Sequence, residues 1–183
     1  TLEMIENQPM RRPAGIFLFR ALILALASVA PTHLAADWAT VDGIDGYGST
    51  RDIARVVNPV GHSIDVYRDQ DGVVRGEFKL SDEAMPLDEL SCPTFRIDSR
   101  PPRALTGLDG PCDVEGTKAR FSLGVISDGT IESVLLTQLI NGTRIQVWYH
   151  LKDHGYHETE FTLRRSMQAL VHAMGEQVQV LPQ

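Results

Sequence analysis

The sequence predicts an α+β fold, a mostly antiparallel β-sheet with two short amphipathic helices packed on it and one disulfide. Three observations carry this prediction. Apolar and polar residues alternate in several stretches between residues 62 and 163, twice around a glycine-bearing turn. The stretch that begins at Ser166 instead repeats its apolar residues at i, i+3, i+4 and i+7, and the one that begins at Thr130 is apolar at four of the five positions i, i+3, i+4, i+7 and i+8. Cys92 and Cys112 bracket a segment rich in proline and glycine.

Residues 1–9 read as lying upstream of the natural start or as an expression addition. From Met10 the pattern is Arg11 and Arg12, an apolar run from Ala21 to Ala30, and small residues from Thr32 to Ala36. This is the layout of a secretory signal peptide over residues 10–36, cut after Ala35 or Ala36. A membrane anchor is the rival. Even counted from Ile16 the run is shorter than the ~20 apolar residues of a span, and Arg20 interrupts it. No stable membrane span is therefore expected after cleavage. Residues 37–183 are expected to form a single exported domain, periplasmic or secreted. Removing residues 1–36 takes away three Arg and two Glu, so the net charge moves from −7 to −8. An acidic domain is a poor nucleic-acid partner, because such partners need a basic face. The charge serves solubility.

Residues 37–61 read as irregular. Gly43, Gly46 and Gly48 crowd with Asp42 and Asp45, but the spacing matches neither a calcium loop nor a phosphate loop. Ser49 to Val57 reads as a short helix stopped by Pro59. Trp38 and Tyr47 read as packing residues. His62 to Arg68 and Val73 to Leu80 read as strands joined by the turn Asp69-Gln70-Asp71-Gly72. Asp82 to Glu89, acidic and with Pro86, reads as a solvated connection. Phe95 to Ile97 is a short strand between the cysteines. In an exported chain the two cysteines pair, stabilising the fold by about 3 kcal/mol in the chain-entropy model. A redox or metal role is disfavoured by the lack of a C-x-x-C spacing.

Ala119 to Ile126 alternates, with Phe121, Leu123 and Val125 on one face, until Asp128 and Gly129 break it. From Thr130 a helix is predicted with Ile131, Val134, Leu135, Gln138 and Leu139 on one side. Asp128 or Thr130 caps its start, and Gly142 ends it in a left-handed conformation. Arg144 to Leu151 is a strand with Ile145, Val147, Tyr149 and Leu151 on one face and Gln146, Trp148 and His150 on the other. Lys152-Asp153-His154-Gly155 is its turn. The predicted register sets Lys152 opposite Tyr156, Leu151 opposite His157, Tyr149 opposite Thr159, Val147 opposite Phe161 and Ile145 opposite Leu163. Ser166 caps a last helix that buries Met167, Leu170, Val171 and Met174, and Gly175 stops it.

The densest set of possible metal ligands is His150, Asp153, His154, His157 and Glu158. The register sends the three histidines in three directions, which cannot close a tetrahedral site. A solvated His150–Glu158 pair is expected instead. No Gly-x-Ser-x-Gly is present, and a disulfide leaves no free thiol. Glu158 and Glu160, like Asp42 and Asp45, read as surface carboxylates and not as an acid–base pair. No catalytic residue, cofactor or resident metal is expected.

The order Cys92…Gly110-Pro111-Cys112, a strand and helix ending in Asn141-Gly142, a hairpin, and Phe161-Thr162-Leu163-x-x-Ser166-x-x-Ala169-Leu170 resembles the bacterial invasion-associated locus B family. The resemblance covers about Cys92 to Gly175. It implies an exported, β-rich envelope protein that works by contact, without catalytic residues. The expected function is a non-catalytic periplasmic or secreted binding or accessory protein of the bacterial envelope, with an unknown protein or envelope partner. Trp148, His150, Glu158 and Glu160 form the candidate contact surface. Burial of Trp148 against the N-terminal segment is the competing expectation for that residue. The alternative function is a metal-binding envelope protein using the His150/His157 hairpin.

Overall fold

A computed structural model describes residues 36–44, 50–107, 110–152 and 155–182. Residues 1–9, the leader-like stretch up to residue 35, Asp45, Gly46, Tyr47, Gly48, Asp153 and His154 lie outside the described residues.

Ala39–Ile44 (β1) and Thr50–Val57 (β2) pair antiparallel, with Ala39 opposite Arg55 and Ile44 opposite Thr50. This corrects the irregular reading of residues 37–61 and the short helix at Ser49 to Val57. Thr50, Ile53, Val56 and Val57 are β-branched and pack better on a pleated surface than on a helix. Strands on both sides also take up the hydrogen bonds of β2. Ser63–Arg68 (β3) and Val73–Lys79 (β4) form the expected hairpin. Asp69 Oδ1 holds its turn by accepting from Asp71 N at 3.0 Å and Val73 N at 2.8 Å. The connection that follows is solvated except at Leu87, which is buried and bridges to Leu151.

Thr94–Ile97 (β5) pairs with Arg103–Ala104 (β6), and Thr106–Gly107 (β7) with Gly110–Pro111 (β8). Cys92 and Cys112 form the expected disulfide, with Cα atoms 5.7 Å apart. Asp113–Glu115 (β9) and Lys118–Val125 (β10) follow. A register shift between Ser122 and Gly124 turns β10 over. Phe121 and Leu123 stay buried while Val125 is 49% exposed, against the predicted shared face.

The helix expected from Thr130 begins later. Thr130–Glu132 (β11) is a strand, and Val134–Asn141 (α1) is the helix. Its cap is Ser133, whose Oγ accepts from Leu136 N at 3.2 Å, and not Asp128 or Thr130. Gly142 is extended, with φ −85°, so α1 does not end in the left-handed conformation predicted for it. Arg144–Leu151 (β12) and Gly155–Thr162 (β13) make the long hairpin. In Ser166–Met174 (α2), Arg165 holds the cap position with φ 65° and Ser166 is the first helical residue. Ser166 Oγ is buried and donates to Leu139 O at 2.7 Å, so it joins the two helices and does not cap α2. The buried side of α2 is Ser166, Ala169, Leu170, Ala173 and Met174, whereas Met167 is exposed and Val171 half-buried. The predicted stripe is rotated because small Ala169 and Ala173 allow close approach to β1, β2 and β3. Gln179–Leu181 (β14) then pairs with β11, parallel. That pairing claims Thr130–Glu132 for a strand.

The fold is mostly antiparallel β. One sheet runs β1-β2-β3-β4-β10-β9 and another β13-β12-β5-β6. Their apolar faces meet where the Phe78 ring stands 5.4 Å from that of Tyr149 and 6.3 Å from that of Phe161. Ala54, Val56, Ile64 and Val66 from one sheet and Phe95, Ile97, Ile145 and Val147 from the other complete one continuous core. Gly76 sits opposite Phe121 on the neighbouring strand, where any side chain would run into the phenyl ring.

The disulfide closes a loop of sequence separation 20 that holds only short strands. Replacing both cysteines by serine should lower stability by about 3 kcal/mol in the chain-entropy model. Urea denaturation of the variant, compared with the oxidised chain, measures this. A loss under 1 kcal/mol would contradict the staple role.

Candidate contact surface and the buried polar link

The hairpin of β12 and β13 keeps the predicted faces but not the predicted register. Ile145 lies opposite Phe161, Val147 opposite Thr159, Tyr149 opposite His157 and Leu151 opposite Gly155. Each partner is two residues away from the predicted one. A shift of two preserves side-chain parity, so Ile145, Val147, Tyr149 and Phe161 are all buried as expected. Gly155, with φ 76°, belongs to the ladder itself, so the strands close earlier than the turn chemistry predicted.

The shift changes the partners on the outer face. His150 lies opposite Tyr156, their rings 5.3 Å apart, and not opposite Glu158. Glu158 lies opposite Trp148 and accepts from its indole Nε1 at 2.9 Å. The other carboxylate oxygen of Glu158 accepts from Gln146 Nε2 at 3.0 Å. Glu160 sits 3.6 Å from Arg144 Nη1. His150 lies on the outer face and His157 on the inner face, stacked on Tyr149 at 5.7 Å. Among the described residues no three His, Cys, Asp or Glu side chains form a metal-holding group.

Trp148 is half-buried. Arg96, from β5 alongside, lays its guanidinium 5.2 Å from the indole centre. Arg96 also donates to Gln146 Oε1, through Nε at 3.0 Å and through Nη2. The indole is thus held from one side by a cation and at its N–H by a carboxylate. Arg96 and Gln146 were not singled out in the sequence. Phe95 and Ile97 on either side place Arg96 on the solvent face by alternation. Its partner lies 50 positions away, beyond the reach of any local pattern.

Among the described residues no cation stands within ion-pair distance of Glu158; neutral donors orient it. The outer face of the larger sheet differs. There charges answer one another row by row, Arg55 with Asp65 at 2.7 Å and Arg120 with Glu77 at 3.0 Å. The carboxylate beside Trp148 is exposed and oriented by neutral donors.

A second polar arrangement joins the two sheets inside. The turn between β2 and β3 supplies Asn58 and His62, both buried. Asn58 Nδ2 donates to Thr159 Oγ1 at 2.6 Å, and its Oδ1 accepts from Val60 N and His62 N. Ser81 N donates to His62 Nδ1 at 2.9 Å, so the ring proton sits on Nε2 and points to Tyr149 Oη at 3.2 Å. The imidazole is neutral in this arrangement, and burial holds its pKa below the ordinary 6.5. Pro59 was read only as the stop of a helix, and nothing local showed that the side chain of Asn58 reaches another sheet.

Comparison of the chain with protein-family models, with curated proteins and with solved structures returns no match.

Two outcomes follow from these contacts. With a folded-state pKa below the unfolded one, the stability that neutral His62 contributes is complete above pH 6.5. It is lost as pH falls from 6.5 toward the lowered value, because the unfolded chain binds the proton first. His62→Asn, whose amide oxygen can still accept from Ser81 N, should flatten that part of the stability–pH curve. An unchanged slope would sink the assignment. Separately, Arg96→Ala in a Trp38→Phe background should shift the Trp148 emission to the red, with a stability loss of about 0.5–1 kcal/mol. An unmoved spectrum would show that Arg96 does not cover the ring in solution.

Proposed function

We propose that this chain is a non-catalytic binding or accessory protein of the bacterial envelope, exported to the periplasm or beyond, whose contact surface is the outer face of the β12–β13 hairpin. One observation carries the reading. Trp148 and Glu158 are presented to solvent in a fixed arrangement, held by Arg96 and Gln146 from two other positions on the sheet. A half-exposed aromatic beside an exposed carboxylate is the composition of an interface anchor, since aromatic residues concentrate at the centres of contact patches. Ordering four side chains on a solvent face also carries an entropic cost that packing within the sheet does not require.

The disulfide supports the exported address, because such bonds persist in oxidising compartments. The leader-like pattern of residues 10–36 and the resemblance to the invasion-associated locus B family point the same way. Among the described residues no helix is long and apolar enough to cross a membrane.

The test is capture from envelope extracts with immobilised wild-type chain and with Trp148→Ala. Loss of an anchor residue should reduce recovery of a bound partner at least about tenfold, while the thermal midpoint moves by only a few degrees. Equal recovery by both proteins would remove this surface as the site.

A further inference from the structure

We infer that the open edge of β13, from Tyr156 to Glu160, accepts an extended cationic segment of a partner protein as an additional antiparallel strand. The inference rests on the contact-surface reading above and states what kind of chain the surface takes.

The direction of the main chain is the first argument. In an antiparallel ladder, a residue turns its N–H and C=O to the same neighbour, and successive residues alternate. Leu163 N donates to Thr143 O at 2.8 Å, so the odd-numbered residues here turn toward β12. Thr162 O and Glu160 O instead accept from outside the sheet, from Trp38 Nε1 at 2.9 Å and Asn58 Nδ2 at 3.4 Å. On β12 the even-numbered residues serve its other neighbour, as Asp98 N donates to Arg144 O and Asp88 N to His150 O. These bonds agree that Tyr156, Glu158 and Glu160 aim their main-chain groups away from the sheet. Trp38 and Asn58 take up the far end of the edge. Among the described residues nothing outside the sheet pairs with the N–H or C=O of Tyr156 and Glu158, or with the N–H of Glu160.

Edge strands in stable proteins are commonly blunted by brevity, proline, a bulge or charged side chains, lysine above all. β13 has eight residues, Gly-Tyr-His-Glu-Thr-Glu-Phe-Thr, with no proline or lysine, and its ladder to β12 runs without a register break. It is a template for strand addition. Antiparallel is the sense of every pairing in this sheet.

Charge names the occupant. Tyr156, Glu158 and Glu160 are the exposed side chains that line the edge on the solvent side. Arg144 near Glu160 and Arg96 over Trp148 stand one strand or more inward. An added strand places every second side chain beside these three, and lysine or arginine there meets the carboxylate of Glu158 and the ring of Tyr156. A second copy of β13 fits badly, because its glutamates would face glutamates.

The test uses the full chain and a synthetic blocked heptapeptide, Thr-Lys-Val-Lys-Val-Lys-Thr. Its twin is N-methylated at the three lysines, whose amides would face β13; charge is unchanged and the main-chain donors are lost. The unmodified peptide should bind and slow amide exchange at Tyr156 and Glu158 at least about tenfold, and the twin should bind at least about tenfold more weakly. Glu158→Gln should weaken binding about threefold. Equal binding of the twin would mean adsorption by charge alone and overturn the proposal, as would protection confined to other amides. If Trp148→Ala abolishes partner capture while the peptide protects neither amide, the outer face stands and the edge falls. If the amides are protected but Trp148→Ala leaves capture intact, the edge is upheld as the site without Trp148.

Discussion

Phe78 meets Tyr149 and Phe161 between two sheets, and the rest of the molecule is arranged so that this contact can form. Each large apolar side chain taken fully from water there contributes about 1.5–3 kcal/mol. To bring the faces together, β3 and β4 must present Ile64, Val66 and Phe78 on one side, and β5, β12 and β13 must present Phe95, Val147 and Phe161 on the other. Polar groups caught near the contact then need partners of their own. Asn58 finds Thr159, and His62 finds both Ser81 N and Tyr149. One short turn thus satisfies the interior and ties the sheets at a defined offset.

That interior arrangement sets the outside. With Tyr149 and Val147 committed inward, Trp148 and Gln146 must point outward from the same strand. The pairing of β12 with β5 brings Arg96 over the indole, and the hairpin register brings Glu158 to its N–H. A register two residues different would bury the same side chains yet pair Glu158 with His150. The arrangement of Trp148 and Glu158 on the outer face therefore depends on a choice to which the core is nearly indifferent. The early closure at Gly155 makes that choice.

Much of the architecture was legible along the chain. Alternation located β3, β4, β5, β10, β12 and β13, and the cysteine pair identified the staple. The expectations that failed share a cause. Ser49 to Val57 was read as helix because its period is ambiguous, and only strands on either side make it β2. Thr130–Glu132 was read into a helix because Ile131 fits the stripe of α1, until β14, some 50 residues on, claimed it by pairing. Met167 fitted the stripe of α2, but the small Ala169 and Ala173 allowed a closer approach on a different side.

By itself the sequence determined which residues of the long hairpin could share a face, that the two thiols join, and that the chain is acidic. Those are local properties, set by side-chain parity and composition. Only the tertiary structure decided which strand lies beside which, that Arg96 covers Trp148, that His62 reaches Tyr149, and that β13 stands at an edge. These depend on contacts between residues tens of positions apart, whose closure is governed by the packing of whole faces and leaves no periodic mark in either partner alone.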